Sequence, residues 1–531
     1  MTDHPRQSDM PVNRRRFMQG AAALGAGVVA NGMPLSRAVW AAEGKVLVAR
    51  AYSDINKLDP GFYQNAYNVD VMNCIYSKLI EYKPGDAWDW QLQAAESIEQ
   101  VDDTHIRFKL REGIMFTGGY GEMTAEDVKF SFERIIEHDS PVKDDWGPLD
   151  RVDVEDKYTG VIVLSKPFVP LWNITLPYGC GHIVSKKAVM EATENGGDFG
   201  MEPPCFSGPY VLDEWKPGQH VKLTRNPEWT GPKPGFDEIR ILPIDDTKSA
   251  ETAYQAGDLD FTHVTLASLK QLKEDPPANT TIEENPSLYY VYLGMNQEHP
   301  KLQDINVRRA VQWAINVPEV LNAAYFGQAE VATGFVAPGL TGHRDAALIP
   351  PEGDPDKARE YLKKAGAEGI TLQIDALNQT KFKTMAEVIH AQLARVGINL
   401  EIDVQDAGSF WTIGMESEGD RWKKMQLILQ RFSMVPDPYY ATTFFTCEQV
   451  GKWNWERFCN KRFDELNAKA VTVQDPEERA KMYHEMQDLL EKSGCYRFLT
   501  HEGSPAMYRT TVTDPATRPD GRPLYRDFKP V

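Results

Sequence analysis

Three observations predict an α/β chain folded into more than one lobe. The chain has 531 residues, more than one ordinary hydrophobic core accommodates. Its C-terminal half gives strand, helix, strand in order: residues 288–296 read as a strand, helices open at Asp354-Pro355 and at Thr384, the latter stopping at Gly397, and residues 398–404 alternate as a strand. That order favours a partly parallel sheet covered by helices. Its N-terminal half carries a hairpin, so the sheets are expected to be mixed.

The elements follow from local chemistry. Residues 46–49 read as a first strand, and Leu58-Asp59-Pro60 makes a turn in which Asp can bond its own backbone. Val71, Ile75 and Leu79 recur at i, i+4, i+8, predicting a helix over 68–82. Residues 106–111 and 161–164 are strands. Thr124-Ala125-Glu126-Asp127 opens a helix running past Val128, Phe132 and Ile135, with acids at its positive end. Two alternating runs flank Lys216-Pro217-Gly218, a hairpin turn in which Pro fixes φ and Gly accepts φ > 0. A short helix over 247–256 closes at Gly257. Residues 288–296 form an aromatic strand, and Val307, Ala310, Val311 and Ala314 share one face of the next helix. Arg308 and Arg309 on that helix read as its solvated face. Pro355 suits the first turn of its helix, and Thr384-Met385-Ala386-Glu387 reads as a capping box. Residues 427–433 form a buried strand that breaks into the loop Met434-Val435-Pro436-Asp437-Pro438-Tyr439-Tyr440.

Composition narrows the function. Charged residues are 25% and hydrophobic ones 42%, the mix of a soluble globular protein, and no run of about 18 apolar residues is present. The formal charge of −19 argues against nucleic acid or an anionic membrane as partner. Residues 1–41 read as an export signal. They carry Arg14-Arg15-Arg16-Phe17, a weakly apolar Ala/Gly stretch, and small residues around Val39-Trp40-Ala41. The twin-arginine pair predicts export of a folded protein to the bacterial periplasm. Six cysteines remain after processing, with no CxxC, which excludes a zinc ribbon or a thioredoxin motif. In an oxidising compartment some should pair.

HExxH, GxSxG, GxxxxGK[ST] and GxGxxG are all absent, and the eleven histidines show no metal-ligand spacing. The expectation is a protein that is not an enzyme and has neither cofactor nor metal. A secreted hydrolase with a dispersed site is the alternative from another class.

The wording of several stretches is more specific than their periodicity. These are Leu58-Asp59-Pro60, Ile75-Tyr76-Ser77-Lys78-Leu79-Ile80-Glu81-Tyr82, the run 110–134, Gly208-Pro209-Tyr210, Arg225-Asn226-Pro227-Glu228-Trp229, Gly257-Asp258-Leu259-Asp260 and Val307-Arg308-Arg309-Ala310. Together they resemble the dipeptide/oligopeptide/nickel family of solute-binding proteins that serve ABC importers. The resemblance implies a two-lobed periplasmic binding protein (type II) with mixed sheets and a hinge of two crossovers. It places a first lobe over 42–290 with an inserted subdomain at about 90–195, a second lobe over 291–495, and a return to the first lobe over 496–531. It implies a monomer that captures a small-molecule or peptide ligand by lobe closure and delivers it to a membrane permease. An opine, a sugar conjugate or a nickel chelate is the alternative ligand class. Cys447 and Cys459 match a short-range disulfide of dipeptide-binding members, and Cys180 with Cys205 is a second candidate.

The resemblance also locates the site. Tyr63 and Asn65 lie in a loop that faces the cleft in such proteins. Arg431, Phe432, Ser433, Met434 and Asp437 lie where a strand ends and breaks, and Phe410 and Trp411 would add to an aromatic cleft with one cation. In peptide-binding relatives an Asp stands where this chain has Met434, and an Arg for the ligand carboxylate precedes the helix predicted from Thr384; 376–379 lack it. Both departures argue against free dipeptides.

Overall fold

The computed structural model describes residues 45–531 apart from 64, 139 and 195. The expected export signal lies outside the described residues. Two large mixed sheets organise the fold. The first has seven strands, ordered Tyr210–Lys216, His220–Arg225, Glu238–Pro243, Val46–Ala51, Phe261–His263, Ala506–Arg509 and Thr280–Glu283. Val46–Ala51 runs parallel to both of its neighbours, while the hairpin and the C-terminal strand are antiparallel. The second has five, ordered Asn399–Gln405, Thr371–Leu377, Leu427–Ser433, Tyr289–Met295 and Tyr496–Thr500. Its first three strands are parallel and the remaining pairings antiparallel. An antiparallel sheet of Ala95–Gln100, His105–Leu110, Thr159–Leu164 and Leu149–Val154 stands apart from both, packed against the helix Ala125–Glu137.

The chain passes between the large sheets at 284–288 and at 501–505. Tyr496–Thr500 therefore belongs to the second sheet, although the return to the first lobe is expected from 496. Its five residues are all buried, so the pattern carries no sign of which sheet it joins.

Most predicted elements form, and the exceptions have physical causes. The helix expected over 68–82 stops at Ile75. Tyr76 is extended, and Ser77–Lys78 and Ile80–Tyr82 are short strands. Residues 68–82 are buried throughout, so the i, i+4, i+8 spacing does not mark one face of a helix. The helix predicted from Thr384 begins one turn earlier, at Thr380, so the apparent capping box lies inside it. At Thr124 the capping acid is real: Asp127 accepts from the Thr124 N–H at 2.9 Å. Gly257 ends its helix at φ +95°. Arg308 is buried rather than solvated, and donates to the carbonyls of Leu302, Gln303 and Ser493. Cys447 and Cys459 are bonded, and Cys180 and Cys205 are free thiols, each buried.

Candidate ligand-binding site

A cavity of about 1210 Å³ opens between the two large sheets. It exceeds the ~300–1,000 Å³ usual for small-ligand pockets. Both crossovers line it, through Ser287, Leu288 and Ser504. The lobes touch beside it. The Val169 N–H donates to the Val471 carbonyl at 2.7 Å, and the Phe168 ring stands edge-on to Tyr439 at 5.8 Å.

On the first lobe, Asn65 caps the helix Ala66–Ile75, accepting from the Tyr67 and Asn68 N–H groups at 3.0 Å each. Its oxygen is thus occupied by the backbone even though the residue lines the cavity. Tyr63 lines it too, packed so closely on Gly179 that a Cβ there would meet its ring at 2.4 Å. The short turn Lys143–Trp146 presents Asp144 and Asp145. Buried Trp146 anchors that turn through its indole N–H on the Cys180 carbonyl at 3.2 Å and its ring on Phe132 at 4.3 Å. Neither aspartate has an ion pair among the described residues. Lost hydration, and then the Asp144 charge, push the Asp145 carboxyl up to about 7.

The C-terminal segment adds a wall that the sequence reading missed. Arg522 pairs with Asp70 at 3.0 Å, Arg518 with Asp520 at 2.6 Å, and all four line the cavity. The Arg518 guanidinium also lies over the rings of Tyr82, Trp88 and Tyr178 at 5.4–5.6 Å. Arg522 and Asp70 stand 452 residues apart, so nothing local in the sequence announces that pair; Arg518 and Asp520 are neighbours in sequence, and what the sequence does not announce is their place at the cavity.

On the second lobe, the strand Leu427–Ser433 emerges from the core at Arg431 and delivers Arg431, Ser433 and Met434 to the cavity. Tyr439, Tyr440 and Phe444 follow. Phe410, Trp411, Phe432 and Asp437 do not line it. Phe410 is buried in the second-lobe core, with Trp411 packed against the same cluster. Phe432 packs among Tyr290, Trp411, Phe444 and Trp453. Aromatic residues serve cores and clefts alike, which is why composition could not sort them. Asp437 is wholly buried, caps the helix Pro438–Thr443, and meets Arg479 at 3.0 Å.

Residues 89–452 match the family described as bacterial extracellular solute-binding proteins, family 5 Middle. This chain belongs to that family. As a family 5 member it is a solute-binding protein of the kind that serves ABC importers. It is 25% identical over 484 residues to the probable D,D-dipeptide-binding periplasmic protein DdpA of Escherichia coli, covering 89% of this chain and 91% of that one. It superposes on the periplasmic binding protein DppA of Helicobacter pylori, solved in complex with the peptide STSA. The TM-score is 0.74 at 24% identity, over 91% of this chain and 97% of the other. It also superposes on MoaA of A. tumefaciens R10, solved with mannopinic acid, with a TM-score of 0.73 at 24% identity, over 91% and 99%. At those identities the two structures fix the two-lobed fold.

Proposed function

We propose that this chain captures a peptide-like solute between its lobes and presents it, unaltered, to a membrane permease. The observation that carries the reading is the cavity itself: both sheets and both crossovers line it, so an occupant touches the two lobes and the segments that join them. A ligand bridging the lobes favours the closed form by as much as its affinity there exceeds that for the open form. Among the described residues the cavity carries aspartates without ion pairs on the first lobe and cations on both lobes, which suits a solute with charges of both signs. We further propose that residues 1–41 direct export to the periplasm by the twin-arginine route and that the receptor works as a monomer, the two crossovers dividing its lobes.

Native mass spectrometry of protein purified from its own host tests this reading. A retained mass of an intact peptide or peptide-like compound, released on denaturation, is expected. Hydrolysis of a supplied peptide by the purified protein would overturn it, as would small-angle scattering that stays the same with every compound offered.

A further inference from the structure

We propose that Lys381 and Arg431, both held by Glu502, form a subsite in the cavity that takes one carboxylate of the ligand. The inference rests on reading the cavity as the ligand site and adds what one end of the ligand must carry.

The three groups come from separate elements. Lys381 stands in the first turn of the helix Thr380–Arg395, Arg431 near the end of the strand Leu427–Ser433, and Glu502 in the second crossover. Lys381 Nζ lies 2.5 Å from Glu502 Oε1, and Arg431 Nε donates to Glu502 Oε2. The Tyr325 hydroxyl donates to Oε1 at 2.6 Å. Glu502 is 5% exposed and does not reach the cavity, whereas both cations line it. Two positive charges thus share one carboxylate, and the surplus of one faces the space where a ligand sits.

The donors are also unfinished. Only Nε of Arg431 is engaged by a protein acceptor; its two terminal amino groups have no hydrogen-bond partner among the described residues. The guanidinium carbon lies over the Tyr289 ring at 3.4 Å from its centre, a contact that with the Glu502 bond holds the open edge in place. Lys381 has Glu502 as its one acceptor among the described residues and keeps further donors. A flat fork with two parallel N–H donors is the shape that a carboxylate meets bidentately. A surplus of one charge matches a carboxylate better than a phosphomonoester, which carries about −1.5 to −2.

The other arginines of the cavity offer no such open pair of donors. Arg518 and Arg522 are each matched by an aspartate; Arg50 has no carboxylate partner among the described residues, but its Nε and one terminal amino group are already taken by the carbonyls of Ile244 and Asp245 and by Thr247, so it presents no open two-donor edge. Glu502 itself sits in the left-handed region at φ +37°. That backbone is costly for a side-chain-bearing residue, and three side-chain partners hold it there. The residue that joins the lobes is therefore the one that aims both cations.

The test uses the full mature chain and a tripeptide library in two forms, free acid and C-terminal amide, with affinities read by calorimetry. The wild type should prefer the free acid by roughly ten- to hundredfold, the range of charge-assisted hydrogen bonds. Lys381→Met, which cancels the surplus, should abolish the preference for the acid over the amide. Lys381→Met with Glu502→Gln restores the surplus through Arg431 and should recover the preference, which a merely structural role for these residues does not predict. Equal wild-type affinity for acids and amides, or a double variant no better than the single, would overturn the subsite. If neither form binds, the peptide reading fails. The subsite is then decided by succinate, which should raise the melting temperature of the wild type and not of Lys381→Met; no shift in either would end it.

Discussion

The two walls of the cavity manage charge differently. On the first lobe, Arg522 answers Asp70 and Arg518 answers Asp520, one cation to one acid. On the second, Lys381 and Arg431 share Glu502, and the acid of the loop that follows Leu427–Ser433, Asp437, is paired with Arg479 out of reach of the cavity. A matched pair holds a wall in place, and an unmatched group is left to bind. The pattern inverts at Asp144 and Asp145, where the first lobe leaves acids without ion-pair partners. The contrast predicts that removing a matched group damages stability and removing an unmatched one damages binding.

The largest expected effect lies behind the second wall. Arg479→Met strands Asp437, whose side chain is 0% exposed, and also removes the donor bond to the Ala470 carbonyl. Breaking one partner of a buried pair costs about 3–5 kcal/mol. Denaturant unfolding should show a loss of that size, while the surviving folded protein keeps its ligand preference. A change in preference with unchanged stability would reverse the assignment of Asp437 as a wall support. The Cys447–Cys459 bridge comes next. Closing 12 residues of chain, it should contribute about 3 kcal/mol, seen as a lower unfolding midpoint for Cys447→Ser with Cys459→Ser. Ligand affinity in the folded state should be untouched, since neither cysteine lines the cavity.

Much of the frame was legible because it depends on local chemistry. Gly257 closes a helix, Gly218 turns a hairpin at φ +71°, and Asp354 caps the helix Pro355–Lys364. Where periodicity was the sole warrant it misled, as at 68–82, because a wholly buried segment has no polar face to set a period. At the cavity, Tyr63, Asn65, Arg431, Ser433 and Met434 were foreseen from a resemblance to a family. Lys381, Asp145 and the 518–525 wall were not. Their roles arise from partners such as Asp70 and Arg522, separated by 452 residues, and no local pattern encodes such a pairing. Asp437 shows the converse. A lone acid in a Pro-rich loop looks like a site, and only the structure supplies the Arg479 that occupies it.

The smallest expected effect is also the one that separates binding from stability most cleanly, because the two run in opposite directions with pH. The Asp145 carboxyl titrates near 7 in the folded chain and at its ordinary 3.8 when unfolded. Between those values the folded state holds the extra proton, so this group favours folding at low pH and loses that contribution as pH rises toward 7. Capture of a cation needs the charged form and should therefore improve as pH rises through 7. Glu502 runs the other way for stability. Against lost hydration, Arg431 and Lys381 hold it down at about 2, so its contribution is present above 4.5 and is lost as pH falls from there toward 2. A tripeptide beginning with N,N,N-trimethylglycine carries a charge that does not titrate, so it isolates Asp145. Its affinity should weaken by up to about tenfold per pH unit below 7, about 1.4 kcal/mol. Asp145→Asn should bind it weakly and without that slope. A slope that survives in Asp145→Asn would assign the titration to another group and leave the acids of the first wall without a part in ligand capture.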